Sequence, residues 1–334
     1  MQTFEYRQST SVDQAVQAGA RSKRAQQYAD VRFIAGGTTL VDLMKLDVER
    51  PNQVVDINGL PLAQIKTAAD GGLVIGALAR NSAVAHHPVV QRDYAVLSLA
   101  LLSGASPQLR NMATTAGNLL QRTRCVYFRD TAHACNKREP GSGCSAIGGH
   151  NRMLAILGTS KDCIASNPSD QNVALTALEA TIQVQGVKGN QSIPIQDFYL
   201  KPGSTPNSEN VLEPGDLIVS VTLPPPAPDT RSHYLKLRDR AAYEFALASA
   251  AIVIKVNGGR IERARVALGG VGTVPWRSRE AEQVLEGHTA DVALFRRAAE
   301  AALKDAQPAS ENGFKVELAK RCIVQALTVS TQSA

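Results

Sequence analysis

Aromatic side chains are scarce in this sequence, where one Trp, seven Tyr and seven Phe make up 4% of 334 residues. Proteins that read nucleic acids by stacking need aromatic platforms interleaved with cations, and here Lys and Arg are scattered with no run of five. A net charge of +6 and an isoelectric point near 9.1 therefore describe a basic globular protein with no nucleic-acid partner. Long apolar runs are absent as well: no stretch approaches the ~18 uninterrupted apolar residues of a membrane-spanning helix. Met1 to Arg7 hold no apolar signal core, so the expectation is a chain that neither spans a membrane nor exports itself. Twenty-five Gly and 16 Pro are too few for a low-complexity chain, and 44% hydrophobic against 20% charged residues excludes general disorder. A chain of this length should bury two cores rather than one.

CxxC pairs are missing too, yet four of the five cysteines, Cys125, Cys135, Cys144 and Cys163, crowd into one window with the spacing C-x9-C-x8-C-x18-C. Structural zinc usually announces itself by CxxC knuckles. Disulfides would be unusual in a large domain without an export signal. Four thiolates also meet the ligand requirement of a [4Fe-4S] cluster. Iron–sulfur, zinc and unrelated or disulfide-bonded cysteines all remain open on spacing alone. Cys322 differs, because it lies in the helical stripe Leu318, Ala319, Cys322, Ile323, Ala326 and reads as a small buried hydrophobe. The cysteine window is also basic: Arg122, Arg124, Arg129, Lys137, Arg138, Arg152 and Lys161 face only Asp130, Glu139 and Asp162.

Neither G-x-G-x-x-G nor the P-loop pattern occurs, so Rossmann and P-loop readings fail. What does occur is a buried strand, Val31 to Ala35, then Gly36-Gly37-Thr38-Thr39, then Leu40, Leu43, Met44 and Leu46 at helical spacing. Two glycines let a backbone approach a bulky anion, two threonines can cap a helix, and its first free N–H groups suit a pyrophosphate. A lone Gly-Gly turn is more often only a turn. A second segment of small residues, Ala113 to Leu120, follows the helical run Val96 to Leu102. A third polar turn, Ser166 to Asp170, precedes the helix Val173 to Leu178, which Asp170 could merely cap. Ser11 is a candidate cap for a helix carrying Val12, Ala15, Val16 and Gly19. After a strand Leu217 to Leu223, Pro224-Pro225-Pro226 with Pro228 punctuates the chain. Strands at Tyr234 to Arg238 and Arg263 to Leu268, an apolar stretch Ala246 to Val256, a hairpin at Asn257-Gly258-Gly259 and three helices predict a separate α+β domain. Those helices lie near Ser278 to Leu285, Asp291 to Ala306 and Gly313 to Val329.

Together, Phe33-Ile34-Ala35-Gly36-Gly37-Thr38-Thr39-Leu40, Asp42 to Lys45, Thr114-Thr115-Ala116-Gly117-Asn118, Asn167-Pro168-Ser169-Asp170 and Val266 to Val271 resemble the FAD-binding subunits of the xanthine dehydrogenase, or molybdenum hydroxylase, family. The likeness runs nearly the whole chain and is greatest to FAD subunits of bacterial periplasmic aldehyde oxidoreductases, whose cysteine-bearing insertion resembles residues 121–165. It implies an α+β fold: a two-part FAD-binding domain of PCMH type over 1–223, then a smaller domain of CO dehydrogenase flavoprotein type over 229–331. It further implies FAD held by Arg32 to Leu40, with Thr114, Gly117 and Asn118 as the opposing wall, Asp170 at the flavin end, and Ile218 and Lys236 completing the site. Asn167 departs from the pattern, since relatives often carry His there. With all four thiols intact, the resemblance implies a [4Fe-4S] cluster on Cys125, Cys135, Cys144 and Cys163.

The chain has no C-x4-C-x2-C run for a [2Fe-2S] cluster and is too short for the family's molybdenum domains. The resemblance thus implies an oxidoreductase subunit in a heterotrimer with a small [2Fe-2S] subunit and a large molybdopterin subunit. Electrons would come from an aldehyde and leave to an external acceptor. In a related 4-hydroxybenzoyl-CoA reductase they would run the opposite way. A signal-bearing partner would carry the chain to the periplasm, the cytoplasm being the alternative. The basic loop suggests docking of an acidic one-electron acceptor.

Overall fold

The structure is a computed structural model and describes residues 1–332. It opens with a small parallel sheet, in which β1 (Glu5–Gln8), β2 (Val31–Ile34) and β3 (Gln53–Asp56) lie in the order β1-β3-β2. Arg32 pairs with Val54 and Phe33 with Val55, so the end of β2 is fixed beside the buried centre of β3. Parallel neighbours need crossovers, and the helices Val12–Gly19 and Leu40–Lys45 lie within them. Ser11 caps the first helix, accepting the Gln14 N–H at 3.1 Å. The expected threonine cap on the second is not made. Thr39 is already near the helical region, at φ −110° and ψ −49°, rather than extended as a capping side chain requires.

Five antiparallel strands form the second sheet. β4 (Ile65–Thr67), β5 (Leu73–Gly76), β6 (Thr181–Gly186), β7 (Gly189–Pro194) and β8 (Leu217–Leu223) run in the order β4-β5-β8-β6-β7. Helices Ala95–Ser103, Thr115–Leu119 and Asp170–Ala177 pack with it around Leu73, Ile75, Leu97, Leu119, Leu175, Ile182 and Val221. Ser169, not Asp170, caps the last of these helices by accepting the Asn172 N–H at 3.1 Å. Asp170 is its first residue and is left free for other work.

In the C-terminal part, β9 (Thr230–Leu237), β10 (Ala248–Asn257), β11 (Arg260–Gly269) and β12 (Trp276–Arg277) form an antiparallel sheet in the order β12-β11-β10-β9. Gly258 and Gly259, at φ +55° and +79°, turn the β10–β11 hairpin as the sequence predicts. Helices Arg279–Leu285, Val292–Leu303 and Phe314–Thr331 cover one face, where Ile252, Ile254, Val266 and Leu268 meet Phe295, Ala298, Cys322 and Ile323. From the other face Tyr234, Ala251, Val253 and Ala267 enter the core of the preceding lobe. β10 is therefore apolar without alternation because both its faces are buried. Among the described residues, no helix is long and apolar enough to cross a membrane.

Candidate functional site

A cavity of about 230 Å³ runs along the end of β2 and its turn, beneath the start of the helix Thr115–Leu119 and beside β8. Arg32, Phe33, Ile34, Ala35, Gly36, Gly37, Thr38, Thr39 and Leu40 all line it, as do Thr114, Gly117 and Ile218. The turn is built for close approach. Gly37 sits at φ +72°, where a side chain is strained, and a Cβ on Gly36 would stand 2.0 Å from the Met112 carbonyl oxygen. The N–H groups of Gly36 through Leu40 find no acceptor among the described residues. Five successive free donors around a glycine turn are the complement of a diphosphate. The helix that follows spans only Leu40–Lys45, so the turn's own N–H groups, more than a helix terminus, supply the anion site. These residues fit the diphosphate of FAD, a cofactor that exchanges electrons singly or in pairs when bound. Across the cleft, Thr114 caps its helix by accepting the Gly117 N–H at 3.2 Å, which sets that small-residue turn against the cavity.

Three residues expected in the site stand outside this cleft. The side-chain oxygen of Asn118 accepts from the Ser169 hydroxyl at 2.7 Å and from the Gln121 side-chain amide at 2.6 Å, so it ties the second wall to the Ser166–Asp170 turn. Asp170 borders a second cavity of about 150 Å³, and Ser166, Asn167 and Pro168 line both. Lys236 borders neither. Its ammonium donates to Asp170 at 2.8 Å and to the Ser103 carbonyl at 3.1 Å, while Tyr234 donates to the other Asp170 oxygen at 2.6 Å. Lys236 thus acts behind Asp170 instead of touching the cavity contents.

Sequence reasoning missed the charges on the cleft floor. Glu49, 2% exposed, receives Arg32 at 2.6 Å and Arg122 at 2.5 Å. Arg122 also pairs with Glu209, which receives Lys137 at 2.9 Å. Burial opposes the charge on Glu209, but the Arg122 and Lys137 cations outweigh it and hold the carboxyl below its ordinary range. Arg122 and Lys137 were visible only as members of a basic window. Their partners lie 73 and 72 positions away or more, and no local pattern announces them.

Most cations of the basic window, on which docking of an acidic acceptor is expected, have partners within the chain. Arg122 and Lys137 are buried in the network above. Arg138 donates to the carbonyls of Tyr127 and Phe128 at 2.8 and 2.9 Å. Arg124 and Arg129 share Asp42, and Arg152 pairs with Asp239 at 2.7 Å. Lys161 is exposed, and Arg124 and Arg129 share one carboxylate between them.

The four clustered cysteines do converge. Cys125, Cys135, Cys144 and Cys163 line one small pocket of about 10 Å³, with no disulfide among them, and Cys135 pairs through its backbone with Cys144. Burial pushes the Cys125 thiol up to about 11, with the backbone of Phe128 and Tyr127 acting in the opposite direction. Among the described residues no three Cys, His, Asp or Glu side chains are grouped to hold a metal ion. Asp162, Asn136 and Lys137 line the pocket beside the four thiols, and four thiols are the number of ligands that an iron–sulfur cluster takes. Cys163, Lys137 and Ala165 line this pocket and the main cleft alike. Cys322 is apart, in the core of the C-terminal helices, its thiol pushed up to about 12 by burial.

Comparison with known proteins identifies two families. Residues 2–226 match the FAD binding domain in molybdopterin dehydrogenase, and residues 233–329 match the CO dehydrogenase flavoprotein C-terminal domain. The aldehyde oxidoreductase FAD-binding subunit PaoB of Escherichia coli is 50% identical over 313 residues, 93% of this chain and 94% of that one. The glyceraldehyde dehydrogenase medium chain of Sulfolobus acidocaldarius is 29% identical over 259 residues, 77% of this chain and 74% of its own. Among solved structures, the carbon monoxide dehydrogenase of Hydrogenophaga pseudoflava lacking its Mo-pyranopterin moiety superposes with a TM-score of 0.77 at 25% identity, covering 98% of this chain and 97% of that one.

Proposed function

Because the chain belongs to the family of FAD-binding subunits of molybdopterin dehydrogenases, we propose that it is the electron-transfer flavoprotein subunit of a heterotrimeric, molybdenum-containing aldehyde oxidoreductase. The relative at 50% identity is an aldehyde oxidoreductase FAD-binding subunit, and the two domains matched over residues 2–226 and 233–329 are neither a molybdenum domain nor a [2Fe-2S] domain. Partners supply those parts: a small [2Fe-2S] subunit and a large molybdopterin subunit. Electrons from the aldehyde enter through the small subunit, reach the cleft described above and leave to an external acceptor. The chain travels to the periplasm with a signal-bearing partner.

The four clustered thiols hold a [4Fe-4S] cluster in this reading. The observation that carries it is the wall of Cys163, Lys137 and Ala165 shared by the thiol pocket and the cleft. A redox group on one side of that wall is a neighbour of a flavin on the other.

The purified chain should contain FAD and four irons per molecule by direct analysis, a count set by the cluster type. Cys144→Ser should lose the iron while Cys322→Ser keeps it. Alone the chain should fail to oxidise aldehydes, and addition of the two partner subunits should restore aldehyde-dependent bleaching of the flavin. Zinc in place of iron, or iron retained in Cys144→Ser, would overturn the cluster, and aldehyde turnover by the isolated chain would overturn the subunit assignment.

A further inference from the structure

Two struts run from the cysteine loop into the cleft. In the first, the guanidinium of Arg122 lies 4.7 Å above the ring of Phe128, which is three residues past Cys125 and lines the thiol pocket with it. The same guanidinium donates to Glu49 at 2.5 Å and to Gln27 at 2.9 Å, and Glu49 in turn holds Arg32 of β2. In the second, Lys137, two residues past Cys135, pairs with Glu209 at 2.9 Å and donates to the Pro206 carbonyl at 2.9 Å. Pro206 and Glu209 belong to the irregular loop before β8, whose residues Leu200, Pro202 and Glu209 to Asp216 wall the cleft. Gln26 fastens that loop from the other side, donating to the Asn210 carbonyl at 2.7 Å and accepting the Glu209 N–H at 2.5 Å. All five charged groups line the cleft: three cations, Arg32, Arg122 and Lys137, against two anions, Glu49 and Glu209. Arg24, Glu213 and Asp216 line the cleft as well, so its wall carries four cations and four anions.

These struts have a mechanical consequence. The cysteine segment has little secondary structure of its own, a single four-residue helix at Val126–Arg129 between Leu119 and Asp170, so its order depends on what its thiols bind. Its cations are nearly buried, Arg122 at 7% and Lys137 at 8% exposure, and they cannot relax without leaving Glu209 unpaired and Glu49 held by Arg32 alone at the cleft wall.

We propose that Arg122 and Lys137 are positioning residues that make FAD retention conditional on an occupied cysteine site. Resting on the cluster reading above, the proposal is that ligation of the four thiols fixes both cations, which hold β2 and the 200–216 loop in the flavin-binding arrangement. Loss of the cluster frees the loop, and the wall opens. Coupling of this kind is reciprocal, so bound FAD must raise the affinity of the four thiols for their cluster by the same factor.

The experiment uses the purified full chain, with the cluster intact or removed by oxidation and chelation, iron being measured in each sample and FAD affinity read by fluorescence titration. Removal of the cluster should weaken FAD binding by about tenfold, within the usual range of site-to-site coupling. In Glu209→Gln, and independently in Lys137→Gln, the two states should differ by less than about twofold, because the second strut is cut. Lys137→Arg should restore the difference. A variant that is merely unstable would weaken FAD in both states and keep the ratio. FAD should also raise the chelator concentration that removes half of the iron in the wild type and not in Glu209→Gln. Iron present with FAD affinity indifferent to it overturns the coupling alone, as does a ratio unchanged in both variants. A wild-type chain without iron overturns the cluster reading and the coupling with it.

Discussion

Replacing Lys236 by Met tests whether Asp170 is held as a buried anion. The side chains of Lys236 and Asp170 are 3% and 10% exposed, and their 2.8 Å contact is supported by Tyr234 and by the Ser103 carbonyl. Met fills the volume of the Lys stem but brings no charge, which leaves the carboxylate in a dry place with one hydroxyl donor. Breaking a buried pair on one side costs about 3–5 kcal/mol, a large part of a typical ~5–15 kcal/mol total. The fall in melting temperature should be at least about 6 °C, taking the lower cost and about 2 °C per kcal/mol for a large chain. Asp170→Asn on the Lys236→Met background removes the stranded charge and keeps a partner for Tyr234, so it should recover about half the loss or more. The assay is urea unfolding followed by the fluorescence of Trp276, the single tryptophan. A loss below about 1 kcal/mol for Lys236→Met, or a double variant whose loss is the sum of the two single ones, would refute the ion-pair argument.

Gly37→Ala places a Cβ at φ +72°, which costs about 1–2 kcal/mol and tilts the free N–H groups of the turn. FAD affinity should fall about 5- to 25-fold while the far-ultraviolet circular dichroism is kept, the fold-change being that strain converted at 1.4 kcal/mol per decade. Unchanged affinity would remove the turn from the anion site. Acid should weaken the fold through Glu179, whose carboxyl is held below its ordinary 4.5 because Arg265 and Arg277 outweigh the effect of burial. Since the folded-state value lies below the unfolded one, this stabilisation is complete above pH 4.5 and is lost as the pH falls through the folded-state value. Glu179→Gln should flatten the stability curve in that window, and a curve of unchanged slope would show that the pairing contributes nothing.

The first half of the site was legible in the sequence because its signal is local. A β-branched apolar strand, two glycines and a helical stripe within Val31 to Leu46 state a strand, a turn and a helix, and the backbone follows them. Ser11 and the Gly258-Gly259 hairpin were legible for the same reason. The three-stranded parallel sheet was not, because β1 and β3 are four residues each and show no usable alternation: all four residues of β1 are exposed, and three of four in β3 are buried. Asp170 looked like a cap or a cofactor contact, and only folding brings it to Lys236, 66 positions on. The Glu49 and Glu209 network escaped for the same reason: its members come from four separate stretches of chain. That the cysteine window is basic was plain, but whether its charges face solvent or one another is decided by tertiary packing.

The C-terminal sheet serves two cores at once, with Ala251, Val253 and Ala267 on one side and Ile252, Ile254 and Val266 on the other. Between the matched family regions runs the exposed segment 224–229, a place where a protease can cut. Such a cut would not yield two independent proteins. The released C-terminal fragment would present an apolar strip that water cannot satisfy, and the remaining fragment would lose part of its interior. Nicked chains should therefore stay together as a non-covalent pair, and fragments made separately should be soluble only when produced side by side. For this fold the proline segment marks where the polypeptide is continuous in sequence, whereas the cooperative unit of folding extends across it.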